Sequence, residues 1–534
     1  MPSSFKVSSF EDIPIETPLE DIPINVNRVR NGFKSHKTLS LEFRKGQLRN
    51  IYYAILDNLD LIYASIQLDL NKSQLETDLT EISFIFKEIN YFIDNLDKLA
   101  KPESIGIELI MKPATGHIYK NPYGTVLIIS PWNYPVVLAF SPVIAAIAAG
   151  NSVVLKCSEL CPNTSRLVIK LLNTALDPEI FTGVTGAIPQ STALLKEKFD
   201  KIMYTGNSVV GRIVSRAAAE HLTPVLLELG GKSPVIITKN ADVKLAARRV
   251  LWGKQVNAGQ TCVAPDYILV DAAIKPKFIA ELKKAYKEYF PDDDKETWSS
   301  YSHIINERHF DRVSGILNKT EGTVIVGGIT DANSKLIAPT FVDDIKPSDA
   351  LMEDELFGPL IGIITVHSTQ EAIEFICKEH DTPLALYIFS NSTKEQEEII
   401  AKTRSGGVGI NDPLMHVALL NAPFGGVGES GTGGGYHGKF GFEAFSHSRT
   451  VFSQSSIVEK LLTIRYPPYL PWKQDAYHKM TARNPWFSRD GPVKKSLFKR
   501  LFGVKVLAVL ILPAVAYLYK LYKPQAWLQF NLLV

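Results

Sequence analysis

The chain has 534 residues, too many for one ordinary hydrophobic core, so two or three domains are expected. A composition of 45% hydrophobic and 21% charged residues is globular and argues against general disorder. The net charge of +2 excludes the broad basic field of a nucleic-acid binder, and four cysteines in so long a chain are no disulfide framework, which points to a reducing compartment.

The N-terminal stretch MPSSFKVSSFEDIPIETPLEDIPIN is acidic and proline-bearing. It has neither the apolar core of a secretory signal nor the arginine-rich helix of a transit peptide, and it reads as a flexible arm over residues 1–23. Residues 24–101 predict long helices, because LRNIYYAILDNLDLIYASIQLDL repeats apolar residues every three or four positions. Over 102–122 the character changes. Two β-rich runs flank Pro113-Ala114-Thr115-Gly116, which predicts an extended hairpin arm. From 123 to 228, apolar runs such as GTVLIIS, NSVVLKC and FDKIMYTG alternate with helical patterns. That rhythm implies a parallel sheet covered on both faces. Residues 229–415 repeat it in SPVIITK, DYILVD, LIGIITV and ALYIFS, so a second α/β domain is expected. The glycine-dense FGGVGESGTGGGYHG, inside 416–450, predicts no regular element. Residues 451–500 read as a loose connection.

The last part, 501–534, is different. The uncharged run Val506 to Tyr519 would span about 21 Å as a helix, short of a hydrocarbon core of roughly 30 Å. Lys505 and Lys520 can snorkel and lengthen it, and Lys494, Lys495, Lys499 and Arg500 supply a cytosolic-type basic flank. A membrane anchor is expected here rather than a buried core helix.

Several short stretches carry chemistry. In NAGQTCVAPDY, Cys262 sits between small and polar residues. On this window alone it is either a packed structural thiol or a nucleophile. In LLELGGKSP, Glu228 precedes Gly230-Gly231; it reads as a general base exposed at a flexible turn with its pKa tuned by burial, or as an interdomain ion pair. Asn133 in SPWNYP suits an oxyanion donor, or simply a turn before Pro135. Lys156 and Glu159 close an apolar strand, where ligands of open α/β sheets collect. Gly206 and Gly211, with Asn207, lie where a strand turns into a helix, a weak phosphate signal or an ordinary turn. LMEDELFGP places Glu355 and Phe357 in an acidic turn before a strand. Cys157 and Cys161 lack a second close pair, so no metal site is expected.

Taken together and in this order, the motifs resemble the aldehyde dehydrogenase superfamily over about residues 24–450. The resemblance implies Cys262 as nucleophile, Glu228 as base 34 residues before it, and Asn133 as oxyanion donor. It implies Lys156 and Glu159 at the adenine ribose and Glu355 at the nicotinamide ribose, with Gly206, Asn207, Gly211 and Phe357 also on the cofactor. Tyr134, His416, Tyr436 and His437 are candidate substrate contacts. Asn207 departs from the serine that many relatives carry in FTGS. The ending PFGGVGESGTGGGYHGKFGFEAFSHSR is similar to the class 3 branch, whose members are dimers with a five-stranded Rossmann-type domain. The implied organisation is an α/β fold with a cofactor domain (24–101 and 123–228), a catalytic domain (229–415) and oligomerisation or bridging segments (102–122 and 416–450).

A class 3 core followed by an apolar tail implies a membrane-bound fatty aldehyde dehydrogenase. It would oxidise long-chain aldehydes such as hexadecanal with NAD, or with NADP, as a homodimer facing the cytosol from the endoplasmic reticulum, the mitochondrial outer membrane or lipid droplets. Aromatic or medium-chain aldehydes are the alternative substrates. Acylating reduction would leave Glu228 dispensable, and a catalytically dead membrane scaffold would be expected to lose one of Cys262, Asn133 and Glu228.

Overall fold

Apolar runs rich in Val, Ile and Leu make strands that can be buried on both faces, and two such sheets organise the chain. The computed structural model describes residues 4–108, 111–291, 298–380, 382–481, 487 and 489–490; the expected membrane segment 501–534 lies outside them. Among the described residues no helix is long and apolar enough to cross a membrane.

The described chain forms two compact units, the larger being Met1–Gly106 with Gly116–Phe452. Its first sheet runs, in spatial order, Gly431–Thr432, Val225–Glu228, Lys201–Thr205, Thr125–Ile129, Ser152–Lys156, Phe181–Val184. The last five are parallel. The strand order reverses between Thr125–Ile129 and Lys201–Thr205, and ligands of such sheets bind beyond the carboxyl ends at that reversal. The loops leaving those two ends carry Asn133 and Gly206-Asn207. The helix Val137–Ala149 between strands is buried almost all round, as its uniformly apolar sequence requires. The second sheet runs Thr323–Val326, Thr340–Asp343, Leu360–Val366, Tyr267–Asp271, Pro234–Ile237, Ala385–Phe389, Gly407–Ile410, and only Thr323–Val326 is antiparallel to its neighbour.

Three expectations are corrected. The N-terminal segment is not a free arm. Phe5 and Val7 are buried, and their amides donate to Asp57 Oδ2 at 2.8 Å and Asn58 Oδ1 at 2.9 Å. Helix begins at Asp21, and Ser83–Ala100 is the longest of the N-terminal helices. The hairpin is also reshaped. Thr115–Pro122 pairs with only Glu103–Ser104 before the turn, and its other neighbour is the distant strand Ser446–Ser453. Long-range pairing of this kind leaves no local periodicity. Finally, the glycine-dense segment does contain regular structure. Gly431 and Thr432 pair antiparallel with Glu228 and Leu227, because missing side chains let the backbone lie against the strand edge.

The second unit comprises Ile107–Thr115 and the residues from Ser453 on. Gln454 Nε2 donates to Met111 O at 3.1 Å. The connection read as loose contains the helix Pro471–Met480, with proline at a first-turn position where its missing N–H costs nothing.

Candidate active site

Cys262 stands at the end of an unusual backbone path. After the helix Val243–Gln255, Asn257, Ala258 and Gly259 all adopt left-handed conformations, with φ of 54°, 51° and 69°. For the two non-glycine residues this costs about 1–2 kcal/mol each, so the surroundings must hold the path in place. Only glycine fits third in the run, since a Cβ there would lie 2.3 Å from Gly358 O. Asn257 Nδ2 donates to Asn133 O at 2.8 Å and to Gln260 O at 3.1 Å. Asn133 Nδ2 donates to Gln260 O at 3.0 Å. A side-chain amide has two N–H groups, so one of them remains for another acceptor. Tyr134 and Thr261 share a hydroxyl hydrogen bond of 2.6 Å, and Tyr387 Oη donates to Val263 O at 2.6 Å. The loops bearing Asn133 and Cys262 are therefore bonded to each other directly.

Cys262 itself is half-buried between the buried residues Thr261 and Val263. Burial first, then the charges of Glu355 and Glu228, push its thiol up to about 12; the amides of Cys262 and Val263 pull the other way. At neutral pH the resting group is a thiol and must give up a proton before attacking carbon.

Glu228 is the corrected member of the set. It lies not at an exposed flexible turn but at the end of its strand, 2% exposed. Among the described residues neither carboxylate oxygen meets a donor in good hydrogen-bond geometry. Desolvation holds its pKa well above the usual carboxylate range, and the Gly426 amide offsets this only in part. A buried, unsatisfied carboxyl whose charge reaches Cys262 is built to take up a proton.

Glu355 lies over the Gly230-Gly231 turn, so close that a Cβ at Gly230 would stand 2.1 Å from its Oε2. Burial, then Asp266, raise its pKa to about 8. Its loop is anchored from below. Lys232 Nζ bonds Asp266 Oδ2 at 3.0 Å and Asp354 O at 2.9 Å, while Arg312 donates to Leu356 O at 2.8 Å. Phe357 has φ of 41° and meets the Trp132 ring edge-on at 5.3 Å. The ELFGP and SPWNYP motifs thus touch.

On the first sheet, Lys156 Nζ and Glu159 Oε2 form an ion pair of 2.9 Å at the carboxyl end, with side chains 5% and 40% exposed. The Gly206 amide is committed to Glu228 O at 3.0 Å. Asn207 caps the helix Ser208–Ala219 by accepting from the Val210 amide at 3.0 Å, and Gly211 is buried in its first turn. The phosphate-cradle reading of this turn therefore has to share its donors with the cap. Other features escaped the sequence reading. Val209, Ile213 and, on the adjoining helix Ile188–Lys196, Ile188 are exposed apolar residues at this edge. Apolar side chains outside the buried stripe of a helix were the available signal. An apolar wall beside a lysine–glutamate pair at the sheet reversal fits a dinucleotide: a flat base against the wall, ribose hydroxyls at the pair.

The four candidate substrate contacts divide. His437 stacks on Phe424 at 5.3 Å and packs on Phe84 at 4.6 Å; Tyr436 and His416 also meet Phe424, at 6.0 and 6.5 Å. Burial lowers His416 to about 4 and His437 to about 3, so both rings are neutral. Tyr134 belongs instead to the hydrogen-bonded brace around Thr261.

A parallel sheet whose strand order reverses at a ligand-binding edge, in one unit with a half-buried thiol that feels the charges of two buried carboxyls, is the framework of a dehydrogenase. Residues 14–451 match the aldehyde dehydrogenase family, and the chain belongs to that family. Its relatives include the dimeric NADP-preferring aldehyde dehydrogenase of Rattus norvegicus, 43% identical over 84% of this chain and 98% of that one. Aldehyde dehydrogenase family 3 member A2 of Macaca fascicularis is 43% identical over 84% and 92%. The beta-apo-4'-carotenal oxygenase of Neurospora crassa is 40% identical over 91% of both chains. A substrate-bound AldH structure from Staphylococcus aureus superposes with a TM-score of 0.83 at 38% identity, covering 86% of this chain and 99% of its own. The chain is an NAD(P)-dependent aldehyde dehydrogenase of the class 3 type.

Proposed function

We propose that this enzyme oxidises long-chain aliphatic aldehydes, such as hexadecanal, to fatty acids, and that it does so at a membrane surface. The observation that carries the chemistry is the shared neighbourhood of Cys262 and Glu228, in which burial first, and then the charges of Glu355 and Glu228, raise the pKa of a half-buried thiol. The Cys262 thiol gives up its proton to solvent, and the thiolate Sγ adds to the aldehyde carbon. The free N–H of Asn133 and the Cys262 amide hold the resulting oxyanion, each such donor being worth ~3 kcal/mol. Bound NAD(P) supplies the acceptor for the hydride. Glu228 then draws a proton from water, which attacks the thioester carbon and releases the acid with Cys262 restored. Lys156, Glu159, Glu355 and Phe357 hold the cofactor, with Gly206, Asn207 and Gly211 shaping the turn beneath it. Half-buried His416 and Phe424, backed by the buried Tyr436 and His437, offer an aromatic wall to an apolar chain.

Chain length and membrane attachment rest on the tail. Each methylene transferred from water is worth ~0.8 kcal/mol, so a long aldehyde collects in lipid. The apolar stretch Leu501 to Tyr522, behind its basic flank, would hold the catalytic part there, facing the cytosol. A homodimer is supported by the rat relative, which is named dimeric. Residues 102–122 and 416–450 are the proposed bridging segments. A second reading has one observation in its favour. The Neurospora relative spans 91% of this chain, and its name points to an apocarotenal, another long apolar aldehyde.

Truncation after Arg500 tests the proposal. The shortened enzyme should be released from membranes, keep its rate on hexanal, and lose roughly tenfold in kcat/KM on vesicle-held hexadecanal. If it handles vesicle-held hexadecanal as well as the full chain does, tail and substrate access are unlinked. Preference for a beta-apocarotenal over hexadecanal in the full-length enzyme would favour the second reading.

Cofactor choice turns on Glu159. Its carboxylate repels a 2′-phosphate, while its partner Lys156 attracts one. Glu159→Gln should therefore lower the KM for NADP about three- to tenfold and leave that for NAD within about twofold. An equal change for both cofactors would remove Glu159 from the specificity site.

A further inference from the structure

No role assigned above uses the stretch Gln74–Ile82. It starts as an α-helical turn, Gln74–Thr77, and widens into a π-turn over Asp78–Ile82 before Ser83–Ala100. In an α-helix of about 3.6 residues per turn, positions five apart diverge by roughly 140°. A turn with i→i+5 bonding closes that gap, and single π-turns of this kind recur at functional sites. Here it brings Glu76 and Glu81 to the same buried neighbourhood, and the charge of Lys72 reaches both.

Each carboxylate grips one of the two loops that meet at Cys262. Glu81 is fully buried; one oxygen takes Lys72 Nζ at 2.8 Å, and the other takes the amides of Val136 and Val137 at 2.9 and 3.1 Å. Those amides open the helix that follows Asn133. Glu76 Oε1 takes the Asn257 amide at 2.7 Å and Ser302 Oγ at 3.3 Å. Asn257 is the first residue of the left-handed run that ends before Cys262. Lys72 Nζ also lies 4.3 Å from the centre of the Tyr134 ring, whose hydroxyl meets Thr261. One N-terminal segment therefore bonds to both of the loops that carry Asn133 and Cys262.

We infer that Glu76 is a positioning residue for the oxyanion site. By fixing the Asn257 amide it fixes where the Cys262 N–H points, with Glu81 and Lys72 holding the opposite loop to the same frame. This rests on the reading of Cys262 and Asn133 as nucleophile and oxyanion donor. Donors aimed at the developing oxyanion act on the transition state more than on the bound substrate, so Glu76 governs kcat rather than KM. What matters is the reach of its acceptor oxygen.

The test uses the full-length enzyme with hexanal and NADP. Glu76→Gln keeps an acceptor at full reach, whereas Glu76→Asp and Glu76→Asn both withdraw it by one methylene, with and without charge. Glu76→Gln is expected to stay within about threefold of wild type. The two short variants are expected to lose roughly 10- to 100-fold in kcat, with KM within about threefold and NADP binding intact. Alkylation of Cys262 by iodoacetamide, which develops no oxyanion, should proceed at the wild-type rate in all three. Two short variants are used so that a folding defect in one leaves the other to decide. Wild-type kcat in a folded short variant overturns the inference. So does a Glu76→Gln enzyme as slow as the short ones, which would make charge the active property. A fall in alkylation parallel to kcat also overturns it, because Glu76 would then act on the thiol. Cys262→Ala, run alongside, separates these from failure of the underlying reading: turnover surviving there would remove the nucleophile itself.

Discussion

Cys262→Ala is expected to lower aldehyde oxidation at least about a thousandfold while NADP binding, followed by quenching of tryptophan fluorescence, stays unchanged. No other thiol can substitute for it. Cys157 and Cys161 are 3% and 0% exposed, so neither presents its sulfur to a substrate as the half-buried Cys262 does. Cys377 is exposed and accepts no role at the site. Iodoacetamide should therefore label Cys262 and Cys377, and only loss of the first should track inactivation. Because the Cys262 thiol is pushed up to about 12, its thiolate fraction grows with pH across the neutral and alkaline range. Inactivation of the enzyme without cofactor should accelerate steadily from pH 7 to 9, by less than about tenfold per unit because Glu355 gains charge over the same range. Residual turnover above about one per cent, with contaminating enzyme excluded, would remove Cys262 from the mechanism.

Glu228→Gln is expected to slow thioester hydrolysis by roughly 10²- to 10³-fold and to spare the first turnover, so that a burst of NADPH precedes a slow steady state. In the native enzyme the base form of Glu228 increases as pH rises through its elevated pKa. Steady-state rate should rise with it, and the variant should lack that limb. The same shift sets a stability signature of the opposite slope. The folded chain holds this proton more tightly than the unfolded chain, so the contribution of protonated Glu228 is complete below the ordinary carboxylate range and is lost as pH climbs through the raised value. Glu228→Gln, which never charges, should gain melting temperature over the wild type as pH increases. A first turnover slowed as much as the steady state would give Glu228 a wider role than hydrolysis.

What could be read from the chain alone follows from how local each signal is. Thr125–Ile129, Ser152–Lys156 and Lys201–Thr205 are apolar runs bounded by turn residues, and their alternation with helices declares a parallel sheet. Gly431–Thr432 is a strand only because Val225–Glu228 lies beside it, which no local pattern records. Phe5 and Val7 look like stray apolar residues in a polar arm; they are buried because Asp57 and Asn58, far along the chain, accept their amides. The residues that carry chemistry stood out because a carboxylate before paired glycines and a cysteine among small residues are poor packing choices. The residues that hold them did not. Lys72, Glu76 and Glu81 carry no local mark, since charged side chains are seldom buried unless paired, and what they grip lies far along the chain. Glu228 was legible as a base tuned by burial, but not what buries it, for the same reason: its cover arrives from the glycine-rich segment near residue 430.

That late-arriving cover also sets an order of biogenesis. Cys262 leaves the ribosome well before Gly431, and at about 5–20 residues per second the interval is roughly 10–30 s. Throughout it, Val225–Glu228 carries a naked edge, the kind of surface that pairs with other nascent chains. The Leu229 amide, later bonded to Ser430 O at 3.0 Å, is also without its partner. A newborn chain therefore owns its thiol long before it owns a sheltered base, and it cannot turn over aldehyde until the glycine-rich strand has docked. Premature termination anywhere between the two leaves an inert, sticky fragment, so the glycines near residue 431 act as the checkpoint through which every active molecule has passed.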